Sequence, residues 1–514
     1  MLIKTFGSAV FGVDAITISV EVDVNNQGKN YSIVGLPDNA VKESLERVES
    51  ALKSNKYYMP RTKLLVNLAP ADIKKTGTAF DLPIAIGTLA ATGQIEDDEI
   101  LKNYVIMGEL SLDGGIKSIK GALPIALQAQ KDHFLGLIVP LSNAREAAMV
   151  SGIKVYGVSH MKEVVDFLNK KISLEPVSVD IHATFHHAQN NYDIDFSDVK
   201  GQINIKRSLE IAAAGGHNAI LIGPPGAGKT MLAKRLPTIL PPLTINEALE
   251  TTKIHSVAGK LPENSTLVSM RPFRSPHHSI SDAALVGGGG NPQPGEISLA
   301  HHGVLFLDEL PEFKRTVLEV MRQPMEERKV TISRARIALD FPASFMLIAS
   351  MNPCPCGYFN HPEKECSCPP GMVQKYLNKV SGPLLDRIDL HVEVTPVAFD
   401  ELSSKEQNEK SDRIRNRVIA ARKIQEERYA GFDGIYCNAQ ISSKLLKAFC
   451  NIDDASKKLL KTAMDKLNLS ARAYDRILKV GRTIADLSCC ETIQIEHLAE
   501  AIQFRSLDRE RWGE

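Results

Sequence analysis

The chain has 514 residues and equal numbers of basic and acidic side chains, 61 of each, so its formal net charge is zero. This balance excludes a uniformly basic nucleic-acid coat but not a local basic loop. The composition is ordinary for a globular protein. No apolar run approaches the roughly 18 residues of a membrane span, and the N-terminus lacks a signal-peptide pattern. We therefore expect a cytoplasmic protein with no membrane contact and eight reduced cysteines.

Residues 1–172 are predicted to form one α/β domain, because strand alternation and helical spacing of apolar residues alternate along it. The polar, aperiodic segment 173–195 is predicted to be a linker. The predicted elements of the first domain are strands at 15–22, 63–68 and 137–140 and helices at 41–54 and 143–150.

The sequence Gly-Pro-Pro-Gly-Ala-Gly-Lys-Thr lies between an apolar strand at 218–222 and a helix that begins at Met231. Its glycines allow a tight turn whose N–H groups point at phosphate oxygens. In such a loop Lys229 reaches the β and γ phosphates, and Thr230 binds Mg²⁺. An ordinary Gly/Pro turn before a helix is the alternative. The predicted phosphate-binding residues are Gly223, Pro224, Pro225, Gly226, Ala227, Gly228, Lys229 and Thr230.

A second apolar strand, residues 303–307, ends in two carboxylates. Ligands bind at the carboxyl ends of parallel strands. We therefore predict that Asp308 holds Mg²⁺ and that Glu309 activates the attacking water as a general base. A solvated acidic turn at the end of the strand is the alternative.

Residues 328–339 combine alternation with positive charge, which predicts a β-hairpin with a basic tip. Clustered arginines at such a tip give a local positive charge that suits a nucleic-acid strand. A solvated hairpin is the alternative. The candidate DNA contacts are Arg328, Lys329, Arg334 and Arg336.

A third strand, residues 344–351, ends at Asn352, whose amide can orient the attacking water. Directly after it, four cysteines fall within the loop 354–368. In a reduced compartment four thiolates predict a closed structural Zn²⁺ site, although the C-x-C spacing is tight. A disulfide pair or free thiols are the alternatives. The predicted zinc ligands are Cys354, Cys356, Cys366 and Cys368.

Arg387 lies just before another apolar strand at 390–394. A guanidinium delivered to the γ-phosphate stabilises transition-state charge, and if it acts in trans the site forms only between subunits. A salt bridge to Asp386 or Asp389 is the alternative. Arg472, at the start of a later helix, is a second candidate γ-phosphate sensor, with a surface arginine as the alternative.

The nucleotide module is predicted to span residues 196–396, and an all-helical lid to span 397–514. The helices predicted in the lid lie at 411–429, 442–450, 455–467, 471–489 and 495–504.

This order of parts resembles the AAA+ ATPases. Further motifs resemble the bacterial magnesium-chelatase-like proteins of the YifB/ComM type over essentially the whole chain. These motifs are Asp198-Val-Lys-Gly-Gln202, Ile211 to Asn218, Phe273-Arg-Ser-Pro-His-His-Ser279, the four-glycine run 287–290 and Pro294 to His301.

The resemblance implies a homo-hexameric ring, with a hairpin that projects into the central channel. It also implies that Val199 and Gln202 lie near the adenine. Members of the ComM type act as DNA branch-migration helicases in natural transformation.

Residues 67–83 and 108–116 resemble the catalytic region of Lon-type proteases. The serine and lysine positions of the Lon dyad fall on Ala79 and near Leu123. Without a nucleophile and its base there is no covalent catalysis, so we predict a non-proteolytic domain.

We therefore predict an α/β multidomain protein with a Lon-protease-like N-terminal α/β domain, an AAA+ P-loop core built on a parallel sheet, and an all-helical C-terminal lid. The predicted function is an ATP- and Mg²⁺-dependent ring motor on branched or single-stranded DNA, in recombination or natural transformation. The alternatives are a metal-insertion ATPase of the magnesium-chelatase type, an ATP-dependent protease and an ATP-gated assembly scaffold.

Overall fold

A computed structural model describes residues 1–25, 28, 30–180, 185, 192–261, 267–289, 292–334, 337–359, 361, 363–396, 408–467 and 469–505. Much of the predicted linker, residues 181–184 and 186–191, lies outside this part of the chain. Within the described ranges, no helix has the length and apolarity that crossing a membrane requires.

The strands and helices are numbered here in chain order. The strands are β1 (Leu2–Phe11), β2 (Asp14–Asn25), β3 (Tyr31–Val34), β4 (Lys63–Ala69), β5 (Tyr104–Ile106), β6 (Glu109–Leu110), β7 (Ile116–Lys117), β8 (Gly136–Pro140), β9 (Lys154–Val158), β10 (Ala219–Ile222), β11 (Phe273–Arg274), β12 (Gly287–Gly288), β13 (Gln293–Pro294), β14 (Val304–Leu307), β15 (Lys329–Arg334), β16 (Ile337–Pro342), β17 (Met346–Met351) and β18 (Leu390–Glu393). The helices are α1 (Asn39–Lys42), α2 (Ser44–Ser54), α3 (Asp81–Ala91), α4 (Ala122–Lys131), α5 (Leu141–Ala147), α6 (Met161–Leu168), α7 (Ile203–Gly215), α8 (Lys229–Arg235), α9 (Ile245–Ala258), α10 (Asp282–Val286), α11 (Glu296–Leu299), α12 (Arg315–Val320), α13 (Arg322–Glu327), α14 (Met372–Leu377), α15 (Gly382–Leu385), α16 (Ser411–Tyr429), α17 (Ser443–Phe449), α18 (Asp454–Leu467), α19 (Ala471–Leu487) and α20 (Ile495–Gln503).

The first sheet is mixed, and its described strands number seven in the order β3-β4-β2-β1-β5-β8-β9. The predicted strands of this domain are present as β2, β4 and β8. The single helix predicted at 41–54 is instead two helices. Asp38 caps an earlier start, with its carboxylate accepting from the Val41 N–H at 2.8 Å, and the chain turns at Glu43 between α1 and α2.

The segment around Leu123, where the lysine of the Lon dyad would fall, lies against the nucleotide module. The Leu123 N–H donates to the Glu146 carboxylate at 2.9 Å, and the Ser256 hydroxyl of α9 hydrogen-bonds the same carboxylate. Burial raises the pKa of Glu146. Lys253, also on α9, lies 3.2 Å from Asp14. Helix α9 therefore joins the first domain to the nucleotide module at this point.

The second sheet is parallel, and its five described strands follow the order β11-β14-β17-β10-β18. Its inner strands β10 and β14 are fully buried four-residue apolar runs, and β17 between them is fully buried over six residues, as both faces of a parallel sheet are covered. In register, Ile222 pairs with Met351 and Leu307 pairs with Ala349. The chain therefore leaves β10, β14 and β17 at the same edge, which brings three predicted site segments together.

The C-terminal region is helical, and α16 packs against α7. Gln425 donates to the Ala214 carbonyl at 3.1 Å, and Arg422 donates to the Ala213 carbonyl at 3.1 Å. These side chains satisfy carbonyls that the end of α7 leaves without helical partners. Helix α16 coincides with its prediction, and the later helices agree with theirs to within two residues.

Candidate nucleotide-hydrolysis site

The phosphate loop links buried β10 to α8. Gly226 and Gly228 have φ values of +79° and +82°, which disfavour any residue with a Cβ. Gly223 is required for a different reason, since a Cβ there would lie 2.3 Å from the Val394 carbonyl oxygen. The predicted loop is therefore present, and its backbone N–H groups are available to an anion.

Lys229 is buried at the mouth of the loop. Its ammonium donates to the carbonyls of Gly223 and Pro224 at 2.7 and 2.9 Å and to the Asn352 amide oxygen at 3.2 Å. Burial lowers the pKa of Lys229, and the charge of Asp308 opposes that shift. The side chain thus ties the loop to the predicted water-orienting residue, and its three donors can turn to phosphate oxygens.

The Asp308 carboxylate is held on both oxygens. Thr230 Oγ1 donates to Oδ2 at 2.7 Å, whereas Oδ1 accepts from the Glu309 N–H at 3.1 Å and hydrogen-bonds the Ser350 hydroxyl. Oδ2 is therefore the oxygen beside Thr230, where the two predicted Mg²⁺ ligands meet.

Ser350 was not predicted from the sequence, although a signal was present. It is 1% exposed on β17, two residues before Asn352, and residues i and i+2 of a strand share a face. Its hydroxyl fixes the rotation of the Asp308 carboxylate.

Replacing Ser350 by alanine is expected to raise the Mg²⁺ concentration for half-maximal ATP hydrolysis about tenfold, since a hydrogen bond to a charged group contributes about 1.5 kcal/mol. A Mg²⁺ titration of the ATPase rate measures this effect. Ser350→Thr retains the hydroxyl and is the matched control. An alanine variant with an unchanged Mg²⁺ requirement would show that Thr230 alone orients Asp308.

Glu309 occupies a strained turn at the end of β14. Its φ is +55°, which is uncommon for a residue with a side chain and is typical of functional sites. Its carboxylate lies 3.6 Å from His278 Nδ1. Glu309, Asn352 and Lys375 line a cavity of about 480 Å³. This cavity gives a water molecule room beside the predicted base.

The predicted adenine-side residues lie at the start of α7. Val199 is buried, and Gln202, with φ +58°, donates to the Thr395 carbonyl at 2.8 Å. The same amide lies 3.5 Å from the Ala227 carbonyl oxygen. Gln202 therefore braces the phosphate loop against the end of β18, and a role in base recognition stays a prediction.

Arg387 lies far from the phosphate loop of its own chain. Its carbonyl accepts from the Asn218 side chain at 3.3 Å, and Asn218 precedes β10, at the edge of the sheet opposite the loop. Four strand residues separate these edges by about 13 Å. The guanidinium pairs with Glu326 at 2.7 Å and donates to the Pro383 carbonyl at 2.6 Å, so Asp386 and Asp389 are not its partners.

Arg472 lies near Arg387 at the first turn of α19. Its guanidinium is 3.3 Å from the Asp386 carboxylate, and its side chain is 64% exposed. Ser470 caps the helix, and Arg476 anchors it to buried Asp389 at 2.8 Å. Both predicted γ-phosphate cations therefore lie near one another, at the edge of the sheet away from the phosphate loop of the same chain, with Arg387 11% exposed and Arg472 on the surface.

The four cysteines of the loop 354–368 converge. Their sulphurs all lie within 4.8 Å of one another, and three pairs are separated by 3.3 to 3.7 Å. A tetrahedral zinc site with Zn–S of about 2.3 Å separates its sulphurs by about 3.8 Å. The Phe359 N–H also points at Cys354 Sγ, 3.3 Å away. The donor set fits Zn²⁺.

Glu250, His301 and His302 form a second cluster of potential metal ligands among the described residues. His301 Nδ1 accepts the Ser344 N–H at 2.9 Å, so the proton of the neutral ring is on Nε2, facing Glu250. That nitrogen has no lone pair for a metal. In this cluster the histidines therefore hydrogen-bond the Glu250 carboxylate, and the arrangement does not suit a cation.

The predicted hairpin is present as β15 and β16, with Arg334 paired to Ile337 at its end. Two of the four candidate DNA contacts are at its base. Arg328 precedes β15 and is half-buried, and Lys329 is paired with Asp340 at 2.8 Å. These two residues therefore lie at the base of the hairpin and not at its tip, and their contact with DNA stays a prediction. Arg336 lies outside the described residues, as does the side chain of Arg334.

Family models match three successive parts of the chain. The description "magnesium chelatase, subunit ChlI" applies to residues 195–402, "subunit ChlI of Mg-chelatase" to residues 20–143, and "magnesium chelatase, subunit ChlI C-terminal" to residues 408–505. The matches include four whole strands of the first sheet, all five described strands of the second sheet and the C-terminal helices.

Similar proteins include the competence protein ComM of Haemophilus influenzae, which is 44% identical over 98% of this chain and 97% of its own length. The uncharacterized protein YifB of Salmonella typhimurium is 42% identical over 98% of this chain and 96% of its own. Lon protease 2 of Bacillus subtilis is 31% identical over 27% of this chain and 26% of its own. Because the first two relatives span nearly the full length of both chains, this chain belongs to the magnesium-chelatase-like AAA+ ATPases of the YifB/ComM type.

Proposed function

We propose that this AAA+ ATPase is a homo-hexameric, ATP-driven motor that moves branched or single-stranded DNA in recombination or natural transformation. The observation that carries the proposal is the separation of Arg387 from its own phosphate loop. Because Arg387 lies away from the phosphate loop of its own chain, the arginine that completes each site would come from a neighbouring subunit. That requirement favours a closed ring of identical subunits.

The hairpin supports DNA as the substrate. It is inserted between β14, which carries the predicted base, and β17, which carries Asn352. A movement of the hairpin would therefore be transmitted directly to β14 and β17, and so to the predicted base and Asn352. Its end carries Arg334 and Arg336, and a six-fold ring would present about twelve such charges in one channel. The likeness to the competence protein ComM gives independent support.

The cofactors that we propose are ATP, Mg²⁺ between Thr230 and Asp308, and a structural Zn²⁺ on the four cysteines. Four thiolates leave no open coordination position, so the zinc would stabilise the fold and not activate water. A cytoplasmic location would keep these thiols reduced.

Replacing Arg334 and Arg336 together by alanine is expected to weaken single-stranded DNA binding and to lower its salt dependence, because fewer counterions are released for each DNA molecule bound. DNA affinity measured at several salt concentrations tests this. Lys329→Ala, at the base of the hairpin and paired with Asp340, is the matched control. Equal losses in the two variants would argue against a DNA-binding tip.

The family descriptions favour a second candidate, a metal-insertion ATPase acting on a porphyrin. An ATP-driven chelatase assay with partner subunits would distinguish it, since the DNA motor predicts no metal insertion. An ATP-gated scaffold would instead assemble with nucleotide while its turnover stays negligible.

A further inference from the structure

The four-cysteine loop is covalently continuous with the hydrolysis site. Cys354 is two residues after Asn352, and Pro353 between them is buried and allows little rotation. The Asn352 amide oxygen in turn accepts from Lys229 at 3.2 Å. A displacement of Cys354 would therefore be passed to Asn352 across two residues.

The same loop also rests on the phosphate loop. A Cβ placed at Gly357 would lie 2.5 Å from the Pro225 ring, so backbone and ring are in direct contact. Gly357 has φ +85°, a conformation that other residues rarely adopt. Pro355 lines the cavity that Glu309 and Asn352 share. The cysteine loop thus touches the phosphate loop, the predicted base's cavity and the water-orienting amide.

The loop has little else to hold it. Across the described residues from 353 to 371 there is no helix or strand. Between 354 and 368, the described residues that are buried are Cys354 and Gly357. A segment that buries so few apolar side chains depends on a metal for a fixed conformation.

We infer that the cluster of Cys354, Cys356, Cys366 and Cys368, closed by Zn²⁺, is a clasp that fixes Asn352 and Pro225 for catalysis. Metal occupancy then changes the rate of ATP hydrolysis more strongly than it changes the affinity for ATP. The inference rests on the proposed ATPase function and on the proposed zinc. The four cysteines act as positioning residues, since they reach the reacting atoms only through Asn352 and the phosphate loop.

The clasp predicts a separation of binding from turnover. Without the metal, the Lys229 ammonium still donates to the Gly223 and Pro224 carbonyls, which keeps the phosphate loop able to bind nucleotide. The Asn352 amide loses its fixed position, and a misplacement of about 1 Å in a positioned group costs about a hundredfold in rate.

The test compares wild type, Cys366→Ser and Cys489→Ser. Cys366 is the ligand chosen because it is distant in sequence from Asn352, and Cys489 is an exposed cysteine outside the loop. Zinc per chain is measured by mass spectrometry, binding by titration with a non-hydrolysable ATP analogue, and kcat at saturating ATP and Mg²⁺. Treatment of folded wild type with a zinc-selective chelator, followed by zinc, provides the same comparison without a substitution.

We expect about one zinc per chain in wild type and Cys489→Ser, and loss of zinc in Cys366→Ser with kcat about a hundredfold lower and binding of the analogue retained. Wild type without zinc would overturn the metal site. Loss of zinc with an unchanged kcat would show that the metal stabilises the loop without positioning Asn352, which overturns the inference. Loss of nucleotide binding together with zinc would show that the substitution unfolds the site, which also overturns it. Wild type that holds zinc but never hydrolyses ATP would contradict the proposed ATPase instead.

Discussion

Replacing Arg387 by alanine is expected to lower kcat for ATP by about 10³ to 10⁵, the usual effect of removing an arginine that stabilises charge on the transferred phosphoryl group. ATP affinity should change little, because Arg387 is at the opposite edge of the sheet from the phosphate loop of its own chain. Steady-state ATPase rates and nucleotide titration measure the two quantities. Arg322→Ala, which removes a partly exposed ion pair with Glu319, is the control.

Mixed assemblies decide whether Arg387 acts in trans. Arg387→Ala and Lys229→Ala chains are each expected to be inactive alone. When the two are co-expressed with different affinity tags and purified through both, some sites combine an intact phosphate loop with an intact Arg387 of the neighbour. Recovered ATPase activity in these assemblies would establish a shared site. Mixed assemblies as inactive as either parent would place the arginine's action within one chain.

Replacing Lys229 by alanine is expected to reduce turnover by at least about a hundredfold, as for the loss of one preorganised donor to a developing charge, and to weaken ATP binding. The buried ammonium is the one described side chain that contacts both the phosphate loop and Asn352. Nucleotide titration and ATPase rates check both effects. Lys234→Ala, one turn along the same helix and exposed, should behave as wild type. An active Lys229→Ala enzyme would contradict the assignment of the phosphate loop.

Much of the nucleotide module follows from local sequence. Short runs of buried apolar residues predicted β10, β14 and β17, since such runs form the interior strands of parallel sheets. The polar residues that follow each run were therefore expected at one edge. The structure brings Lys229, Asp308 and Asn352 together there. Lys229 donates to Asn352, and the neighbouring Thr230 donates to Asp308.

Other features depend on contacts between distant parts of the chain. Strand order places β17 between β10 and β14, so Ser350 faces Asp308 across 42 residues of sequence. The position of Arg387 depends on the same order, and its partner Glu326 follows no local pattern. The hydrogen bond between Glu146 and Ser256 joins two domains. Strand alternation places Ser350 on the same face as Asn352, but its pairing with Asp308 and the other pairs have no periodic signal, because each forms only after the sheets assemble.

The proposed motor is tested most directly with a labelled four-way DNA junction, wild-type protein, ATP and Mg²⁺. Conversion of the junction into two duplexes is followed together with the ATPase rate and the assembly mass. The expected result is ATP-dependent conversion of the junction into two duplexes by a hexamer and a higher ATPase rate with DNA than without it. Neither effect is expected with Lys229→Ala. An ATPase rate indifferent to four-way, forked and single-stranded DNA, with the junction left intact, would contradict a DNA motor.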